Sequence, residues 1–128
     1  MIQSSVLAIR NMRDNGGGVI INTASTAGVY PFLADAPYNS SKAGVIMFSR
    51  SCAALYEQCG IRVNAVCPGA TETPILEKTG GGQRPDWLIN NLKDIEMLTT
   101  DEVGQAVLDI IADDNMVGEF VVLENKLK

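Results

Sequence analysis

Three side chains in this sequence have the types and spacing to move a proton: Ser25, Tyr38 and Lys42. Lys42 stands four residues after Tyr38, so on a helix the two share one face, one turn apart. A nearby ammonium and the positive end of a helix dipole both favour tyrosinate. A phenol that ordinarily titrates near about 10 then becomes an acid or base usable closer to neutrality. Ser25 follows a short β-branched run, Val19-Ile20-Ile21, and open α/β sheets place their ligand crevice at the carboxyl ends of their strands. A serine there can hydrogen-bond a substrate oxygen.

These positions depend on the elements around them. Asp35 and Pro37 are good starting residues for a helix and Gly60 a natural stop, which predicts a helix of about 20 residues carrying Tyr38 and Lys42. Ala43, Val45, Ile46, Met47, Phe48, Cys52, Ala53, Leu55 and Tyr56 leave it almost no purely polar face, the mark of a helix covered nearly all round, in part by another subunit. Upstream, Ile2, Val6, Ile9 and Met12 recur at helical spacing before the Asp14 to Gly18 turn. Val19-Ile20-Ile21 reads as a strand covered on both faces, and Ile61, Val63, Ala65 and Val66 as the next strand, stopping at Pro68-Gly69.

Residues 70–98 change character. Thr79-Gly80-Gly81-Gly82-Gln83 reads as a hinge, and Leu88, Leu92 and Ile95 are spaced for a short amphipathic helix. This stretch is expected to be a lid or substrate loop. Thr99 and Glu102 have capping-box spacing for a helix running to about Asp113, and Gly118 to Leu123 reads as a last strand. The alternation of helix and strand predicts an α/β fold with a doubly wound parallel sheet of three strands and flanking helices.

The 128 residues, 46% hydrophobic and 20% charged, suit one domain over 1–128 with a sizeable core. A net charge of -5 without a basic run offers nothing to nucleic acid or anionic membranes. No apolar window is long enough to span a bilayer. Cys52, Cys59 and Cys67 form no CxxC pair and there is no His, which leaves no metal cluster and points to a reducing, cytoplasmic setting. The cysteines read as small apolar core residues.

The serine, then thirteen residues on Tyr38-Asn39-Ser40-Ser41-Lys42, resembles the Ser and YxxxK elements of the short-chain dehydrogenase/reductase family. Gly18 to Ser25 is similar to that family's fifth strand, and Gly60-Ile61-Arg62-Val63-Asn64-Ala65-Val66-Cys67-Pro68-Gly69 to its sixth strand with the PG turn. YxxxK alone recurs by chance in many helices; with the serine spacing and RVNAVCPG it is specific. The resemblance implies the C-terminal half of a Rossmann-like domain, and hydride transfer between a nicotinamide cofactor, NAD with NADP as the alternative, and a small alcohol or ketone. It makes Tyr38 the acid/base, Lys42 the residue that lowers its pKa and holds the nicotinamide ribose, and Ser25 the orienter of the substrate oxygen. Pro68, Gly69 and Thr73 would flank the nicotinamide, following the family's PGxxxT pattern. It also implies a homo-oligomer paired through two long helices. The stretch from Cys67 to Glu77 looks closest to NAD-dependent hydroxyprostaglandin dehydrogenases and their relatives.

The family's phosphate-binding TGxxxGxG turn and its NNAG segment have no counterpart here: Gly16-Gly17-Gly18 precedes a strand, and Gly80-Gly81-Gly82 sits in the expected lid. The expectation is a fragment of a longer enzyme or a truncated gene product, with Val19 to Ile21 on an unpaired sheet edge. The alternative is a non-catalytic remnant acting as a dimerisation or interaction module. Bland readings stand beside the sharp ones. Ser25 alone is a loop serine, Thr73 competes with Thr71 and Thr79, Asp35 reads first as a helix cap, and Trp87 is lid packing or a substrate contact.

Overall fold

The computed structural model describes residues 1–33, 35–78 and 81–128. Thr79 and Gly80 of the expected hinge lie outside them, while Gly81 and Gly82 have positive φ. The elements run α1 (Ile2–Arg13), β1 (Gly18–Thr23), a 3₁₀ turn (Thr26–Gly28), α2 (Ala36–Ser51), α3 (Leu55–Cys59), β2 (Ile61–Pro68), α4 (Ile75–Lys78), α5 (Asp86–Leu92), β3 (Ile95–Glu96), α6 (Thr100–Ala112), β4 (Phe120–Leu123) and β5 (Lys126–Leu127).

The main sheet has the order β1-β2-β4, all parallel, with Gly18 opposite Ile61 and Ala65 opposite Phe120. β2 is central and buried from Ile61 to Cys67. Its Ile61, Val63 and Val66 are fully buried, each stabilising the fold by about 1.5–3 kcal/mol relative to exposure. Successive side chains of a strand point to opposite faces. Val45 and Ile46 of α2 accordingly pack with Ala65 and Cys67, while Ala106 and Ile110 of α6 pack with Val66. Helices cover both faces, the doubly wound α/β arrangement that the element order predicts. No helix among the described residues is long and apolar enough to cross a membrane. Among these residues, β1 pairs only with β2.

The capping box of α6 forms as expected. Thr99 Oγ1 accepts from the Glu102 N–H at 3.2 Å, and Glu102 Oε2 accepts from the Thr99 N–H at 2.7 Å. The Thr99 N–H and hydroxyl hold the Glu102 carboxyl below its ordinary pKa. Two expectations differ from what is observed. The helix expected to reach Gly60 is interrupted at Cys52–Ala54, where the chain tightens to bonds such as Ala53 N–H to Arg50 O at 3.1 Å. Gly118, on the loop before β4, packs there against Ala53 and the Arg50 carbonyl. Ile95, expected on the face of a short helix, lies instead in β3, opposite Leu127 of β5.

Buried polar groups tie the layers together. Ser5 of α1 donates to Asn22 Oδ1 of β1 at 3.0 Å, Asn22 Nδ2 donates to Ser49 Oγ of α2 at 3.0 Å, and Ser49 donates to Val45 O. All three side chains are buried, so each bond satisfies a group that water cannot reach. On the other face the buried Arg62 guanidinium donates to the carbonyls of Ile110, Ile111 and Asp113 at 2.8–3.1 Å. These are carbonyls that the end of α6 leaves without intrahelical partners, at the negative pole of its dipole. Asn64 holds the next stretch, donating to Met116 O at 2.8 Å and accepting from the Glu119 N–H at 2.9 Å. Arg62→Ala is therefore expected to lower the unfolding free energy by about 3 kcal/mol. Urea denaturation followed by far-UV circular dichroism checks this, and an unchanged midpoint would remove Arg62 from the account.

Candidate active site

Because the three strands of the main sheet are parallel, Thr23, Pro68 and Leu123 all end on the same side. A cavity of about 680 Å³ opens there, lined by Ser25, Tyr38, Lys42, Pro68, Gly69 and Thr73 among others. All six residues that the sequence singles out thus border one space.

Each is held by identifiable bonds. Asp35 caps α2, its Oδ1 accepting from the Tyr38 N–H at 2.9 Å, so the cap reading of Asp35 describes its observed bond, although it also borders the cavity. Pro37 in the first turn suits the missing N–H of that position. Lys42 lies over the Tyr38 ring, its Nζ 5.6 Å from the centroid, and donates to the Thr23 carbonyl at 3.2 Å. The ammonium is thereby pinned between α2 and the end of β1. Ser25 is extended, and its Oγ accepts from the Ala27 N–H at 3.2 Å. That bond starts the 3₁₀ turn and leaves the hydroxyl hydrogen unused by it. The turn ends at Gly28, where a Cβ would lie 2.7–2.8 Å from the Lys42 carbonyl and the Ala43 nitrogen. Only glycine lets the serine loop approach α2 so closely.

Thr71 and Thr73 both line the cavity. Thr71 donates to Gly69 O at 3.1 Å and Thr73 to Thr71 O at 3.4 Å. Trp87 borders the cavity and packs against Phe32 with ring centroids 5.8 Å apart. Cys67 is buried at the end of β2, and burial pushes its thiol pKa up against smaller lowering effects from the Ser25 backbone and Lys42. It is a packing residue, as expected.

Sequence spacing gives no sign of Asn125. Its Oδ1 accepts from the Ala70 N–H and its Nδ2 donates to the Ala70 carbonyl, both at 2.8 Å, and Nδ2 also donates to Glu96 O at 3.0 Å. It copies a strand pairing with one side chain. Gly69 leaves the room, since a Cβ there would sit 2.2 Å from Asn125 Oδ1. Beside it, the Tyr30 hydroxyl donates to Glu124 at 3.0 Å, and that bond, followed by the carboxylate's charge, raises the phenol pKa.

The short chain dehydrogenase family profile matches residues 1–84. The chain belongs to the short-chain dehydrogenase family. It is 33% identical over 120 residues to 15-hydroxyprostaglandin dehydrogenase [NAD(+)] of Rattus norvegicus, covering 85% of this chain and 45% of that one. It is 35% identical over 100 residues to 2-(R)-hydroxypropyl-CoM dehydrogenase of Xanthobacter autotrophicus, covering 77% of this chain and 40% of that one. Among solved structures, 7α-hydroxysteroid dehydrogenase complexed with NADH and 7-oxo glycochenodeoxycholic acid superposes with a TM-score of 0.77. It is 27% identical, over 93% of this chain and 48% of that one. The chain thus spans less than half the length of these members of the short-chain dehydrogenase family. In this chain the turn after β2 borders the cavity, and Asn125 holds that turn in place. Asn125→Ala is expected to speed hydrogen exchange at the Ala70 amide by about tenfold or more, while Asn125→Asp, which keeps the acceptor, gives a smaller change. Equal protection in all three proteins would show that the turn holds without the side chain.

Proposed function

We propose that this chain carries the catalytic half of an NAD-dependent dehydrogenase, with NADP possible in its place, that interconverts a secondary alcohol and a ketone. The observation that supports this best is that Ser25, Tyr38 and Lys42 border one cavity at the carboxyl ends of β1 and β2. The chemistry of the residues fits the nicotinamide end of such a cofactor. Lys42 and Tyr38 offer donors for ribose hydroxyls, and Pro68, Gly69 and Thr73 form a wall on which the ring can lie. When bound, the cofactor gives or takes the hydride.

The chain's own residues handle the proton and the substrate oxygen. Tyr38 gives its hydroxyl proton to the carbonyl oxygen during reduction and takes it back during oxidation. Lys42 places a positive charge over the Tyr38 ring, its Nζ 5.6 Å from the centroid. Ser25, its oxygen fixed by the Ala27 N–H, donates its free hydrogen to the same substrate oxygen and so orients the carbonyl. Residues 1–128 act as one partial cofactor-binding domain in which 70–98 form the substrate loop. The protein works in the cytoplasm, where Cys52, Cys59 and Cys67, all free, stay reduced.

The proposal extends to a homo-oligomer joined through α1 and α2. Ile2 and Leu7 on α1 and Met47 on α2 are exposed, and apolar surface of this kind drives association. Light scattering after size exclusion is expected to show species larger than a monomer; a sharp monomer peak would refute this part. In protein that turns over a secondary alcohol, Tyr38→Phe is expected to cut kcat by about a hundredfold while the NADH Kd, read from nicotinamide fluorescence, rises by no more than about fivefold, the loss of one ribose hydrogen bond. Comparable turnover would rule Tyr38 out as acid/base. No NADH binding even at millimolar concentration would favour the non-catalytic alternative.

A further inference from the structure

We infer that the substrate taken by this cavity is a neutral alcohol or ketone with a bulky apolar body, selected against carboxylates and phosphates by the wall around Phe32 and Trp87. The inference rests on the reading of the cavity as a site of alcohol and ketone exchange, and specifies what enters it.

The lining of the cavity is of two chemical kinds. Ser25, Tyr38 and Lys42 bring polar groups. Phe32, Leu76, Trp87, Leu88, Leu92 and Ile95 bring an apolar wall. Phe32 and Trp87 stand tilted at 46° with centroids 5.8 Å apart, a pair in ordinary aromatic contact. Neither ring hangs on a free loop. Asn39 Nδ2 of α2 donates to the Phe32 carbonyl at 2.8 Å, and Trp87 sits inside α5, where Asn91 Nδ2 donates to its carbonyl at 2.9 Å. The apolar wall is therefore joined to the helix that carries Tyr38 and Lys42.

Charge completes the argument. Among the described lining residues only Lys42 and Asp35 are charged. Lys42 is occupied by Thr23 O and the Tyr38 ring. Asp35 contributes a carboxylate; Lys78 and Lys93, the cations nearest in sequence to the wall, are exposed and outside the lining, and Arg84 is paired with Glu72. An anionic group pushed against Phe32 and Trp87 would lose its hydration with no cation to replace it, whereas a ring or alkyl body loses only apolar contact with water.

Trp87 is the single tryptophan, so its fluorescence reports on this wall without any cofactor or turnover. The test titrates the protein with 2-decalone, with decalin-2-carboxylate of the same ring size, and separately with NADH. The expected result is saturable quenching or shift of Trp87 emission by the ketone, with the carboxylate about tenfold weaker or more. Phe32→Ala should weaken the ketone about fivefold and leave NADH binding unchanged. A carboxylate that binds as tightly as the ketone, or a ketone that never saturates while NADH binds, overturns this inference and leaves the dehydrogenase reading standing. Ketone binding without NADH binding has the opposite meaning: the apolar site stands and the dehydrogenase reading fails.

Discussion

No side chain fits between the serine loop and the helix that carries Tyr38. At Gly28 a single added carbon would meet the backbone of Lys42 and Ala43 at 2.7–2.8 Å, and backbone, unlike a flexible side chain, cannot yield cheaply. The spacing of the site follows from this approach. Ser25 is three residues ahead of that contact and linked to it by its own cap on the turn, Lys42 forms the contact on the helix side, and the Lys42 ammonium returns to the end of β1. Loop, helix and strand are so locked that displacing one displaces the others.

The rest of the scaffold holds that geometry with buried polar groups as much as with apolar packing. The chain from Ser5 through Asn22 to Ser49 crosses from α1 to β1 to α2, so the helix bearing the site is registered along the strand as well as pressed onto it. Hydrophobic contact is non-directional and would tolerate sliding; these two buried hydrogen bonds do not. Arg62 and Asn64 perform the equivalent task on the opposite face for α6 and the loop into β4. Asn125 does it for the turn after β2.

Much of this was legible in the sequence because local spacing determines it. The strands around Val19 to Ile21 and Ile61 to Val66, the capping box at Thr99 and Glu102, and the single helical face shared by Tyr38 and Lys42 all depend on neighbours within a few positions. What local spacing could not carry was distant partnership. The break after Ser51 coincides with packing by Gly118. Ile95 has helical spacing from Leu88 and Leu92, but it pairs with Leu127. Arg62 reads as an interruption of an apolar run until its acceptors, some 50 positions later, come into place. Asn125 is one polar residue in a polar tail until Ala70 lies beside it.

The register of the main sheet also has a consequence for how the molecule reaches this state. Gly18 pairs with Ile61 and Ala65 with Phe120, so the two ladders close loops of roughly 40 and 55 residues, and the entropy of closing them must be met before either ladder gains its bonds. During synthesis β1 and β2 can pair only after the residues between them have emerged, and β2 gains β4 later still. The backbone bonds of α1 and α2 are local, so their closure carries no such loop cost. Among these elements the helical bonds close over shorter loops than the ladders, and the pairing of β1 with β2 fixes the strand end from which the serine loop reaches α2.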